Sequence, residues 1–162
     1  MIEIRIEHQQ YRLSEFVKFF DAGKFKIYND LPKNILWQRD NTYPSRLISS
    51  IFLNVPIGNL WLWWAPDCAY RILDGNERLR IIMSFFHNEF KLEGLKWLIE
   101  LNGLIFKELP NRYANLFKMA TLPVNEVYPA TGINTVEEIV DQIRMGARDN
   151  RVQRWRNELS QK

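Results

Sequence analysis

Arg71-Ile72-Leu73-Asp74-Gly75-Asn76-Glu77-Arg78-Leu79-Arg80 switches from one backbone period to another within a single turn. Tyr70 to Leu73 is short and apolar enough for a strand, while Leu79, Ile82, Met83 and Phe86 recur at the i, i+3, i+4, i+7 spacing of a helix's buried stripe. Asp74-Gly75 is the junction. A strand that ends at a glycine and runs straight into a helix leaves free backbone N–H groups and the positive end of a helix dipole facing outward. That is a natural phosphate cradle. Gly75 lets backbone approach a ligand, Asn76 adds an amide, and Arg78, one turn in, could fork two phosphate oxygens. Asp74 and Glu77 could hold a divalent metal through carboxylate oxygen or position an attacking water. The same residues also describe a plain turn and N-cap with solvated helix charges.

Outward from this junction the chain alternates short strands and helices. Ile2, Ile4 and Ile6 alternate with Glu3, Arg5 and Glu7, predicting a strand over residues 1–7. Leu13, Phe16, Val17 and Phe20 predict a helix closed by Gly23. Residues 25–39 read as a strand interrupted at Asp30-Leu31-Pro32, and Tyr43-Pro44-Ser45 opens a helix that buries Leu47, Ile48, Ile51 and Phe52. Leu60 to Trp64 reads as a buried strand. Residues 89–109 read as weak strands, Asn111 to Phe117 as a short helix and Thr121 to Val127 as a strand. Asn134-Thr135 caps a long final helix expected over about 135–161. The mixture predicts an α+β fold with a mixed sheet and packed helices, in a single domain over residues 1–162.

Composition agrees. In 162 residues, 46% are hydrophobic and 14% aromatic, which excludes a disordered chain. The longest apolar run, Leu60 to Pro66, is far too short to span a bilayer, so no membrane partner is expected. The lone Cys68 can form no internal disulfide, so a reducing cytoplasm is the expected location. A net charge of +3 permits a polyanionic partner.

Three motifs stand in order: Gln38-Arg39, then Leu47-Ile48-Ser49-Ser50-Ile51 with Val55-Pro56-Ile57, then Leu73-Asp74-Gly75-Asn76-Glu77-Arg78-Leu79. Together they resemble the N-terminal domain of GmrSD-type modification-dependent restriction endonucleases, whose loop reads DGQQR. That domain belongs to the ParB/sulfiredoxin-like superfamily. The resemblance covers about residues 13–125 and implies a small ParB/sulfiredoxin-like domain. It also implies nucleotide or phosphate binding at Gly75, Asn76 and Arg78 with Gln38 and Arg39 nearby; by their own chemistry Asp74, Glu77 and Arg78 are the candidate catalytic residues. ATP or another NTP would be the ligand, Mg²⁺ the metal on Asp74 and Glu77, and the activity that of a hydrolase, an ATPase or nuclease acting on NTP, DNA or both. Glu77 stands where the family has its second Gln. Sulfiredoxins carry a cysteine in this loop, and this chain has none there. The alternative of another class is a DNA- or protein-binding regulator, of a fertility-inhibition or anti-defence type, that keeps the fold without turnover.

Two further features carry chemistry. Arg144, Arg148 and Arg151 fall at i, i+4, i+7 on the expected final helix, a basic stripe that could track DNA phosphates or be an ordinary solvated face. Among Trp61, Trp63 and Trp64, Trp64 is expected in the core, with Trp61 and Trp63 more open and able to stack on a base. His8 and His87 have no ligand partner at metal spacing.

Overall fold

The computed structural model describes residues 5–27, 42–65, 69–128, 138–139 and 141–143. Gln38, Arg39, Cys68, Arg144, Arg148, Arg151 and all but residues 138, 139 and 141–143 of the expected final helix lie outside them.

The chain runs β1 (Arg5–Arg12), α1 (Leu13–Asp21), β2 (Phe25–Ile27), α2 (Tyr43–Phe52), β3 (Leu60–Trp64), β4 (Tyr70–Asp74), α3 (Asn76–Phe86), α4 (Asn111–Met119) and β5 (Thr121–Tyr128). The five strands form one sheet in the order β1-β5-β3-β4-β2. β1 and β5 are antiparallel, β5 and β3 parallel, β3 and β4 antiparallel, β4 and β2 parallel. The expected mixed α+β architecture is therefore present. Among the described residues no helix is long and apolar enough to cross a membrane.

Alternation along the strands sorts side chains to two faces. Leu60, Leu62, Ile72, Leu122 and Val124 meet Leu13, Phe16 and Val17 of α1, Ile48 of α2, Ile82 and Phe85 of α3 and Phe117 of α4 in the main core. Rings close it: Phe85, Phe106 and Phe117 lie with centroids 5.2–5.8 Å apart. On the other face a smaller cluster joins Trp63, Ala65, Leu73, Val127 and Ile139, with Trp61 and Ile143 packed against it.

Three expectations change. The first strand runs on beyond residue 7 to Arg12, through residues whose polarity resembles a helix cap; as an outer strand of the sheet β1 needs little apolar surface. Residues 89–109 hold no strand but two short 3₁₀ turns, Ile99–Leu101 and Phe106–Glu108. Leu92, Leu95, Leu98 and Leu101 are all buried at a spacing of three, which suits neither a strand nor an α-helix. Finally, Trp63 is buried, whereas Trp61 and Trp64 are half-buried.

Candidate functional site

The junction at Asp74 forms as its residue types require. β4 ends at Asp74, Gly75 takes φ +97°, and α3 begins at Asn76 with Gly75, which has no side chain to cap it, as its N-cap. Two constraints hold the glycine. Its left-handed φ is costly for any residue with a Cβ, and a Cβ would meet Leu60 Cδ2 at 2.1 Å and Arg78 Nη2 at 3.1 Å.

Arg78 faces inward to the protein. Its Nη1 donates to the Ile57 carbonyl at 2.7 Å, and its Nη2 donates to the Asn59 carbonyl at 2.9 Å and to Asp74 Oδ2 at 3.1 Å. The guanidinium thus clips the 57–59 segment to the start of α3, with three of its five N–H groups committed. Gly58, at φ +84°, makes the clip possible, since a Cβ there would lie 2.5 Å from Nη1. The Arg78 side chain is 19% exposed and that of Asp74 46%, so the carboxylate is the member of the pair open to solvent.

Beside this clip two oxygens have no hydrogen-bond partner among the described residues: Asn76 Oδ1 and Glu77 Oε1, both buried at the atom. Asn76 as a whole is 6% exposed. A buried oxygen without a donor costs about 1–3 kcal/mol, so its retention at a helix start is notable.

Tyr43, at the start of α2, belongs to the same neighbourhood. Burial first, and then the Glu77 carboxylate, push its hydroxyl above the ordinary tyrosine range, while the charges of Arg78 and Arg46 act in the opposite direction. Sequence reading placed Tyr43 only at a helix start, and nothing in its spacing ties it to Glu77.

The structure therefore brings Asp74, Gly75, Asn76, Glu77 and Arg78 together by simple adjacency and adds Tyr43 and Arg46 from α2. Gln38 and Arg39 lie outside the described residues, as do Arg144, Arg148 and Arg151. Among the described residues no group of three or more His, Cys, Asp or Glu side chains could cage a metal.

No family model matches the chain, and no curated protein matches it. Among solved structures, the C-terminally truncated chromosome-partitioning protein ParB from Caulobacter crescentus, complexed with CTP-gamma-S, is similar at 14% identity with a TM-score of 0.38. The similarity covers 83% of this chain and 50% of that one, so this chain spans half the length of that protein.

Proposed function

We infer that the Asp74–Arg78 junction is a phosphate- and nucleotide-binding site, and that the protein is a metal-assisted phosphohydrolase acting on NTP, DNA or both. The observation that carries this reading is the start of α3 at Gly75, which has no side chain to cap it, beside two buried oxygens without donors among the described residues, Asn76 Oδ1 and Glu77 Oε1. First-turn amides at a glycine N-cap suit an anion, and oxygens without donors suit a hard cation. Asp74 and Glu77 would hold Mg²⁺ through one carboxylate each, leaving its other positions to water and phosphate. When bound, the ion would neutralise phosphate charge. Glu77 would orient water, and the Arg78 charge, fixed in place by its two carbonyls, would stabilise developing negative charge. The family resemblance of the DGNER loop points the same way.

The commitment of Arg78 to Ile57, Asn59 and Asp74 favours a second reading, a module that binds without turnover. The two separate in one experiment. NTP binding is measured by calorimetry with and without Mg²⁺, followed by a turnover assay on wild type and Glu77→Gln. The hydrolase reading expects Mg²⁺-dependent turnover that Glu77→Gln lowers by about 10²-fold or more, with binding kept or tightened. Binding without turnover in wild type selects the regulator. Absence of binding in both conditions removes the site.

A further inference from the structure

We propose that the sheet face beside the Gly75 turn, built from Trp61, Asn125, Asn59 and His8, is a subsite for a nucleobase. The proposal rests on the phosphate reading above and extends it from the phosphates to the base.

Strand register supplies the geometry. Asp74 is the partner of Trp61, Trp61 of Asn125, and Asn125 of His8. A single row thus crosses β4, β3, β5 and β1. With strands about 4.8 Å apart, Trp61 sits about 5 Å from Asp74 along the row, and His8 about 14 Å. That is a reach on the scale of one nucleotide laid from its phosphates to its base.

The chemistry of the row fits the same ligand. Trp61 packs on the Trp63, Leu73, Val127 and Ile139 cluster, which fixes its ring while leaving it half-buried. A fixed indole offers a stacking surface that any base can use. Next to it the face turns polar. His8 Nδ1 lies 2.7 Å from Asn125 Oδ1, and Asn59 Nδ2 donates to the same oxygen at 3.5 Å. Asn125 is only 4% exposed, so its amide is held in one orientation. Farther along the strands the same face carries the apolar Trp63, Val127 and Leu73, and at the row it carries Asn125 and His8 beside Trp61. An aromatic plane bordered by the exposed imidazole of His8 and amide of Asn59, both oriented by the buried Asn125, gives a base a π-face and an edge. The subsite is also physically continuous with the phosphate end, because the Asn59 that reaches Asn125 gives its carbonyl to Arg78.

The test compares ligands with and without a base on the full chain. Calorimetry with Mg²⁺ measures the four common NTPs and inorganic tripolyphosphate on wild type, Trp61→Ala, Trp61→Phe and His8→Ala. Wild type should bind at least one NTP about tenfold or more tighter than tripolyphosphate. Trp61→Ala should lower NTP affinity about tenfold and leave tripolyphosphate unchanged. Trp61→Phe should retain most of the preference, and His8→Ala should narrow the differences among the four bases. Equal affinity of wild type for NTP and tripolyphosphate overturns the subsite while sparing the phosphate site. An unchanged NTP-to-tripolyphosphate ratio in Trp61→Ala does the same. If wild type binds neither ligand, the phosphate reading fails and the subsite with it. Should Trp61→Ala not fold, the wild-type ratio and His8→Ala, on an exposed edge strand, decide.

Discussion

Arg78 shows how differently one residue reads in sequence and in structure. In the sequence it is a cation one turn into a helix, free to fork a phosphate. In the fold its guanidinium holds the carbonyls of Ile57 and Asn59 and the carboxylate of Asp74. The acceptors that matter are main-chain atoms about twenty positions upstream, and a main-chain carbonyl leaves no signature in sequence. Gly58 and Gly75 do leave one, because each is required at positive φ with its Cβ space taken by Arg78 or Leu60. The structure therefore assigns Arg78 a stability role as well as a charge. Arg78→Ala should destabilise the protein by about 1.5–3 kcal/mol, the range for hydrogen bonds to a charged group, as read by urea unfolding. Arg78→Lys should recover less than half of that loss, because an ammonium on a flexible stem cannot span two carbonyls and a carboxylate with a planar fork. A stability for Arg78→Ala equal to wild type would show that the clip contributes nothing and would free the guanidinium for ligand.

At the scale of elements, the strand–turn–helix at Asp74–Gly75 was legible because a run of apolar residues gives way abruptly to helical spacing, with glycine at the switch. The helices α1 and α2 were legible for the same reason, each carrying a clean apolar stripe. The 89–109 segment was not, because its leucines from Leu92 to Leu101 recur every third residue and part of its order comes from side chain to main chain bonds. Asn102 Oδ1 accepts from the Leu95 N–H at 2.9 Å, while its Nδ2 donates to the Leu95 carbonyl at 3.1 Å. One side chain thus imitates a pair of strand hydrogen bonds. Ser45 of α2 anchors the same segment by accepting from the Glu93 N–H at 2.9 Å. Asn102→Ala leaves both Leu95 main-chain groups without that partner, and each such group costs about 1–3 kcal/mol if it stays buried. The expected outcome is a loss in that range together with faster amide hydrogen exchange confined to residues 92–104. Exchange that rises uniformly across the chain would show instead that the segment opens only with the whole fold.

For the whole molecule, strand order was the part least open to sequence reading, since β1 and β5 lie more than one hundred positions apart and pair along their full length. A buried carboxylate adds a side-chain link among these distant strands. Glu126 on β5 is 2% exposed, accepts from Tyr11 of β1 at 2.6 Å and from Tyr128 at 2.8 Å, and meets Tyr70 of β4 at 3.4 Å. Burial, followed by the hydrogen bond to Glu126, pushes the Tyr11 and Tyr128 hydroxyls above the ordinary tyrosine range, and burial with the Glu126 charge raises Tyr70. A tyrosine whose folded pKa is raised binds its proton more tightly in the folded state than in the unfolded chain. Its contribution to stability is therefore complete below the unfolded value, about 10, and is lost as pH rises above it towards the folded value. Unfolding free energy measured by urea at a series of pH values should hold level as far as these groups are concerned up to about pH 10 and fall beyond it. Tyr11→Phe removes one ionisable group and one hydrogen bond. It should be less stable than wild type at pH 8, yet its stability should decline less steeply above pH 10, so that the two curves converge. Parallel curves would mean that Tyr11 ionises alike in both states, and the three strands would then be held by packing and main-chain pairing without help from the Glu126 cluster.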